Sequence, residues 1–174
     1  MKTILILRHG KSDWGTPGLD DFERPLAKRG LNDAPLMGEL LAQFDAVPEV
    51  ILASPARRAK ETTELVAKAC GYRRPIQWEN SFYGGDSEAM LAALQRLPAT
   101  VGRVMLVGHN PTLEETIADL LCVAEVGWSD SLPIRLPTAG LVCLDVDVVD
   151  WVDLEPGGAT LRWFVIPKLV KALL

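Results

Sequence analysis

The amino-acid sequence predicts an α/β protein, a three-layer α/β/α sandwich whose central sheet is mainly parallel with an antiparallel edge strand. Two observations indicate this class. Short apolar runs typical of buried strands alternate with segments whose apolar residues recur at helical spacing. The last third of the chain differs, because two strand-like segments follow one another across a turn at Pro156-Gly157-Gly158, as in a hairpin at a sheet edge.

Each predicted strand is an apolar run that ends in turn-forming residues. The first run, at residues 4–7, has four consecutive apolar side chains and stops at Arg8-His9-Gly10. Glycine at that point allows a tight turn and a close approach of a ligand to the backbone. The other predicted strands cover 47–53, 104–107, 140–149 and 159–166, and residues 75–83 are irregular or form a short strand.

The predicted helices fill the intervals between these strands. Leucine and methionine recur every three or four residues, as in helices with one buried face. Gly71 is a candidate C-cap, and Thr112 with Glu115 matches a capping box in which both side chains accept free helix amides. The predicted helices cover 32–44, the segment from Pro55 to residue 69, a segment that starts at Asp86 or Ser87, a segment that starts at Thr112, and 167–174.

Composition and charge exclude several classes of protein. The chain has 174 residues, 48% of them hydrophobic, which indicates one globular domain over residues 1–174. Its net charge of -5 argues against a general binder of nucleic acid or of anionic membranes. No apolar run reaches the length of a signal-peptide core or a membrane span. A soluble, cytoplasmic protein is therefore expected.

The three cysteines, Cys70, Cys122 and Cys143, lie far apart in the sequence and form no CxxC pair or Cys/His cluster. Neither a disulfide framework nor a zinc site is indicated. Free thiols in a reducing compartment are expected, with no metal and no other cofactor.

Both histidines stand where an apolar run meets a glycine-marked turn. His9 follows Arg8 at the end of the first strand, His109 follows the strand at 104–107, and the strand at 47–53 leads into a helix that carries Arg58. If these strands are neighbours, the four side chains converge on the edge of the sheet where ligands bind. Two guanidinium groups and two imidazoles suit a dianionic phosphoryl group. One imidazole can then act as a nucleophile and form a phosphohistidine.

At these residues the sequence resembles the histidine phosphatase superfamily, which has a phosphoglycerate mutase-like fold. Three motifs carry the resemblance: Arg8-His9-Gly10, then Ser54-Pro55 with Arg58, Ala59 and Thr62, then Gly108-His109-Asn110-Pro111. The segments 21–26 and 164–168 are similar to the compact phosphohistidine phosphatases of the SixA type. The resemblance runs from about residue 3 to about residue 168.

The resemblance implies His9 as the nucleophile and Arg8, Arg58 and His109 as the phosphate pocket. Arg24 is a further candidate for substrate binding at the same edge. His9 must be neutral to attack, and we expect nearby arginines to lower its pKa. Its remaining ring N–H should donate to a backbone carbonyl near the turn and fix the tautomer.

The chain departs from the wider superfamily at the general acid. Larger members place a glutamate a few residues before a Tyr-Gly pair, and here Glu79 stands one position away from that register relative to Tyr83-Gly84. An alkoxide leaving group needs a proton, whereas the imidazole of a phosphohistidine can leave already protonated. A missing acid therefore favours a protein phosphohistidine as substrate, and the short chain, with little sequence for a lid, favours the same.

Several other interpretations are open. The chain could be a phosphatase of small phosphomonoesters, a binding module that retains a phosphate pocket without turnover, or, less favoured, a mutase or a metallohydrolase that uses the two histidines. The metallohydrolase is disfavoured because no acidic partner stands at the same junctions and arginines repel a divalent metal. Surface roles suffice for Arg57 and Lys60, and Trp14 and Trp128 belong either to the mouth of the site or to the core.

Overall fold

The computed structural model describes residues 1–15, 17–121 and 135–173, and shows a six-stranded sheet between two layers of helices. The strand order is β3-β2-β4-β1-β5-β6. β1 is parallel to β4, and β2 is parallel to both β4 and β3, whereas β5 is antiparallel to β1 and to the edge strand β6. The strands are β1 (Lys2–Arg8), β2 (Val50–Ala53), β3 (Gln77–Trp78), β4 (Arg103–Gly108), β5 (Leu141–Val146) and β6 (Ala159–Val165).

Helices cover both faces of the sheet, so the predicted α/β/α sandwich is confirmed. Side chains of α1, α2 and α5 pack in one core together with Leu5 and Leu7 of β1, and side chains of α3 and α4 pack in the other core with Ile4 and Ile6. The four apolar residues of β1 are thus buried on both faces, as their continuous run predicts. The helices are α1 (Lys28–Gln43), α2 (Arg57–Cys70), α3 (Ser87–Gln95), α4 (Thr112–Leu121) and α5 (Pro167–Leu173).

The structure corrects several predicted boundaries. α1 begins at Lys28 rather than at residue 32, because Gly30, which resembles a helix breaker in the sequence, packs inside the first turn against the loop that follows β1. A Cβ at Gly30 would overlap the carbonyl oxygen of Lys11. β2 begins at Val50, three residues later than predicted, and β5 ends at Val146 rather than at residue 149.

The predicted capping box at the start of α4 is wrong. Thr112 is already the first residue of the helix, and its hydroxyl donates to the carbonyl oxygen of Gly85 at 2.8 Å. The Glu115 amide donates to the carbonyl oxygen of Pro111. The predicted caps at Gly71, which has a φ of 76°, and at Asp86, which accepts from the Ala89 amide, are confirmed.

The last helix is held to α1 by a buried carboxylate. Asp33, only 1% exposed, accepts from Lys171 Nζ of α5 at 2.6 Å and from Arg29 Nε at 3.2 Å. Within the described residues, no helix has the length and apolar character needed to cross a bilayer. Cys70 and Cys143 are buried free thiols, and Cys122 and Trp128 lie outside the described residues.

Candidate active site

Three neighbouring parallel strands deliver the candidate residues to one edge of the sheet. β4 lies between β1 and β2, so the carboxyl ends of these strands place His9, His109 and Arg58 together. The imidazole rings of His9 and His109 have centroids 5.1 Å apart. The convergence expected from the strand-end positions is therefore present in the structure.

The tautomer of His9 follows from its hydrogen bond. Nδ1 lies 2.7 Å from the carbonyl oxygen of Gly10, and because a carbonyl only accepts, Nδ1 carries the proton. Nε2 is then left with its lone pair, as a nucleophile requires. The pKa of His9 is lowered to about 4, first by burial of the ring and to a smaller extent by the charges of Arg58, Arg8 and Arg24. Burial, and not the arginines, is thus the largest cause.

The turn that follows His9 is fixed by packing and hydrogen bonding. The Gly10 amide donates to Thr62 Oγ1 at 2.9 Å, and the Thr62 hydroxyl donates to the carbonyl oxygen of Arg58 at 2.6 Å. A Cβ at Gly10 would lie 3.1 Å from the Cα of Gly30 in α1. Glycine is therefore favoured here because α1 approaches closely, and the hydrogen bonds through Thr62 tie the turn to Arg58 of α2.

His109 is positioned by Ser54 at the end of β2. The His109 Nε2 lies 2.8 Å from Ser54 Oγ, and the same oxygen accepts from the Ala56 amide at 3.3 Å, which leaves the hydroxyl proton free to be donated to Nε2. Ser54 is fully buried. The pKa of His109 is lowered to about 3, chiefly by burial and also by His9 and Arg58, so this imidazole is neutral near pH 7.

Several buried polar atoms at this edge have no hydrogen-bond partner among the described residues. They are Arg8 Nε, Arg58 Nε, His109 Nδ1 and Asn110 Oδ1. A buried polar group without a hydrogen-bond partner destabilises the protein, and a ligand that supplies the partner removes this free-energy penalty. Arginine N–H groups donate, so the oxygens of a phosphoryl group would satisfy the two guanidinium groups.

The two arginines are held in place by different parts of the chain. Arg8 donates through Nη1 to the carbonyl oxygen of Leu136 at 2.8 Å. Arg58, 6% exposed, donates through Nη1 to the carbonyl oxygen of Asp21 at 2.6 Å and through Nη2 to its carboxylate at 3.1 Å. Both guanidinium groups are oriented before any ligand arrives, which is the arrangement that stabilises transferred phosphoryl groups efficiently.

Arg24 also reaches this edge. Its Nε and Nη2 atoms each lie 2.8 Å from Asp21 Oδ1, and its Nη1 donates to Ser12 Oγ at 3.2 Å. The guanidinium carbon stacks 3.5 Å from the centre of the Trp14 ring, which is 72% exposed. Trp14 therefore lies at the mouth of the site and not in the core.

Sequence reasoning missed Asp21, Tyr83 and Ser54 as parts of the site. The Tyr83 hydroxyl donates to Asp21 Oδ2 at 3.0 Å, and its ring packs edge-on against His109 with centroids 5.6 Å apart. Two signals were present: Asp21 begins the segment 21–26 that is similar to SixA-type proteins, and Ser54 opens the second motif.

The carboxylate of Glu79 is directed to a salt bridge. Its Oε2 lies 3.3 Å from Arg96 Nη2, an exposed residue of the segment after α3. Its backbone amide continues the sheet by donating to the carbonyl oxygen of Ala53. Arg57, predicted to be solvated, is exposed and pairs with Glu61.

Comparison with known proteins supports the resemblance found in the sequence. Residues 4–82 match the model of the histidine phosphatase superfamily, branch 1. An uncharacterised protein of Mycobacterium tuberculosis is 30% identical over 167 residues, which cover 93% of this chain and all of that protein. The phosphohistidine phosphatase SixA of Escherichia coli is 27% identical over 98% of this chain and 99% of its own.

A solved structure gives the same result for the fold. The structure assigned as the phosphohistidine phosphatase SixA of Agrobacterium tumefaciens has a TM-score of 0.79 and 32% identity, covering 95% of this chain and 98% of that one. The chain belongs to the histidine phosphatase superfamily and has its phosphoglycerate mutase-like fold. It is a hydrolase, a phosphatase of the class that uses a histidine nucleophile.

Proposed function

We propose that this phosphatase removes the phosphoryl group from a phosphohistidine side chain of a protein, with His9 as the nucleophile. The proposal rests on the carboxylates beside the pocket. Asp21 is paired with two arginines, which help to hold its pKa below the usual range, and Glu79 is paired with Arg96. Asp21, ionised near pH 7, is a poor proton donor, and the carboxylate of Glu79 is occupied by its ion pair with Arg96. A site with such carboxylates suits a leaving group that already carries its proton.

Each candidate residue has a defined part in this reaction. The lone pair of His9 Nε2 attacks phosphorus, the bond from phosphorus to the substrate nitrogen breaks, and the protonated ring leaves as neutral imidazole. Arg8, Arg58 and His109 contact the phosphoryl oxygens; the two guanidinium groups offset their charge as the group transfers, and the neutral His109 donates a hydrogen bond. Water then attacks the phosphorus of phosphohistidine at position 9, which releases inorganic phosphate and restores the free imidazole.

The exposure of the mouth supports a protein substrate. Trp14 is 72% exposed, and the Asp21 side chain is 51% exposed beside the buried His9. A large substrate can therefore reach the nucleophile past side chains that face solvent. Residues 1–174 act as one catalytic domain in this proposal, with a phosphorylated protein as partner and without metal, cofactor or nucleic acid.

Turnover of two substrates by wild type and His9→Ala tests the proposal. The substrates are a phosphotransfer protein phosphorylated on histidine and a simple aryl phosphate. We expect faster release of phosphate from the protein, loss of that release in His9→Ala, and a phosphoenzyme that wild type alone forms. Arg57→Ala, which alters an exposed neighbour of the pocket, is the matched control.

Better turnover of the aryl phosphate would replace the proposal with a phosphatase of small phosphomonoesters. Retained turnover in His9→Ala would contradict the assignment of the nucleophile.

A further inference from the structure

The carboxylate of Asp21 occupies a central place at the mouth of the site. It contacts Arg58 at 3.1 Å, Arg24 at 2.8 Å and the Tyr83 hydroxyl at 3.0 Å. These three partners come from separate parts of the chain, and Tyr83 in turn packs against His109. Asp21 therefore lies on the rim between the phosphate-binding arginine and the second histidine.

In-line transfer places the leaving group near this rim. His9 is 7% exposed and forms the floor of the pocket, whereas the Asp21 side chain is 51% exposed. Because the nucleophile and the leaving group stand on opposite sides of phosphorus, a leaving group displaced by His9 points toward the mouth. Asp21 is the carboxylate that contacts the pocket arginines there, among the residues that the structure describes.

We propose that Asp21 determines substrate specificity by favouring a leaving group that carries positive charge, a protonated imidazole, over one that develops negative charge on oxygen. This inference rests on the proposed function and extends it to a named residue. The carboxylate stays ionised, because its hydrogen bond from Tyr83 and its two arginine partners favour the charged form.

The two kinds of leaving group respond to this charge in opposite ways. When the bond from phosphorus to the ring nitrogen breaks, its electron pair stays on that nitrogen, and the ring keeps the proton on its other nitrogen. A nearby carboxylate stabilises the positive ring on binding and during transfer. When a phosphate ester is cleaved, the electron pair stays on oxygen, and the same carboxylate repels the developing negative charge.

The test compares Asp21→Asn with wild type on a phosphohistidine peptide and on an aryl phosphate, near pH 7. Asparagine keeps the size of the side chain and one accepting oxygen, and removes the charge. We expect kcat/KM for the phosphohistidine peptide to fall by roughly fivefold, the size of one partly exposed charge interaction. We expect kcat/KM for the aryl phosphate to fall by less than this or to rise, so that the ratio of the two kcat/KM values changes.

Asp20→Asn is the matched control, because Asp20 is an exposed neighbour whose side chain accepts only from the Phe22 amide within the described residues. It makes the same change in net charge, and asparagine can keep the same cap. This variant should leave the ratio of the two kcat/KM values unchanged.

Equal losses on both substrates in Asp21→Asn would overturn the inference, since a role limited to positioning Arg58 and Arg24 lowers both reactions. An unchanged ratio would overturn it as well. If wild type does not turn over the phosphohistidine peptide, the proposed function and this inference both fail. If wild type turns it over and the ratio is unchanged in Asp21→Asn, this inference alone fails.

Discussion

The imidazole of His109 and the hydroxyl of Ser54 form a 2.8 Å hydrogen bond at the candidate active site. Through it, the end of β2 orients a side chain that follows β4. The bond occupies Nε2 and leaves Nδ1 without a partner among the described residues. The nitrogen available to a phosphoryl oxygen is thus determined by a residue that needs no contact with the substrate.

Ser54→Ala should therefore lower catalysis without unfolding the protein. Loss of the hydroxyl removes the partner of His109 Nε2 and releases the orientation of the ring, and a misplaced pocket donor commonly costs about ten- to a hundredfold in kcat. Steady-state kinetics on an aryl phosphate measures the effect. Thr63→Val serves as control, because it deletes another buried hydroxyl, which donates to Ala59 within α2. Equal kcat values for the two variants would contradict the prediction.

Arg58 and Arg57 are neighbours with opposite surroundings, which makes them a matched pair. Arg58 is 6% exposed at the pocket, and Arg57 pairs with Glu61 at the surface. Arg58→Ala should lower kcat/KM by about 10² to 10³, the usual cost of one preorganised donor to a transition-state oxygen. Arg57→Ala should stay within about twofold. A comparable loss in both would show that the effect is the general positive charge of α2.

The protonation of the two histidines predicts how activity depends on pH. The pKa of His9 is about 4, so its imidazole is neutral and nucleophilic from pH 5 upward. kcat/KM should therefore show no loss from protonation of free His9 between pH 7 and pH 5, and should fall as the pH decreases through about 4. A pH profile on an aryl phosphate, corrected for ionisation of the substrate, measures this. A decline centred near 6.5 would contradict it.

The same shifts predict how stability depends on pH. In the unfolded chain both histidines bind protons near the ordinary pKa of 6.5, whereas in the folded protein they stay neutral down to about 4 and 3. The unfolded state therefore binds more protons in this window, and the free energy of unfolding falls as the pH decreases below 6.5. At pH 5 the loss should approach about 2 kcal/mol per histidine.

Urea denaturation at pH 7 and pH 5 measures this change. The double variant His9→Asn/His109→Asn is the control and should lose less stability over the same interval. If wild type and the double variant lose the same free energy of unfolding between pH 7 and pH 5, titratable groups other than these two histidines cause the loss.

Gly30→Ala should destabilise the protein even though alanine is the better helix former. A Cβ at Gly30 would overlap the carbonyl oxygen of Lys11 in the loop after His9, and overpacking typically costs about 1–3 kcal/mol. Because Gly10 lies against the same glycine, kcat should fall too. Asn32→Ala, at an exposed position of the same helix, should be neutral or stabilising. Thermal unfolding that ranks Gly30→Ala as stable as Asn32→Ala would contradict the prediction.

Local patterns in the sequence predicted the part of the site that lies at strand ends. The run from Ile4 to Leu7 predicted a strand buried on both faces, and such strands deliver Arg8, His9 and His109 to one edge by topology alone. The start of α1 could not be predicted in this way, because glycine is a poor helix former and the contact with the loop after β1, which leaves no room for a Cβ at Gly30, is not visible in the local sequence.

Contacts between distant positions were also beyond local patterns. Asp21 and Tyr83 are separated by 62 positions, and Asp21 and Arg58 by 37. Asp21 and Tyr83 lie in short turn segments, where nothing in periodicity indicates which side chains will meet. Their place at the site depends on how the loops fold over the sheet.

The position of β4 between β1 and β2 has a consequence for how activity is acquired. The amino-terminal half of the chain supplies Arg8, His9 and Arg58, but the strands that bear or precede them are not neighbours in the sheet, where β4 lies between them. Turnover by the proposed site therefore needs β4 in its place between the other two strands. In a refolding experiment, the time at which phosphate release recovers would report when β4 has paired with β1 and β2.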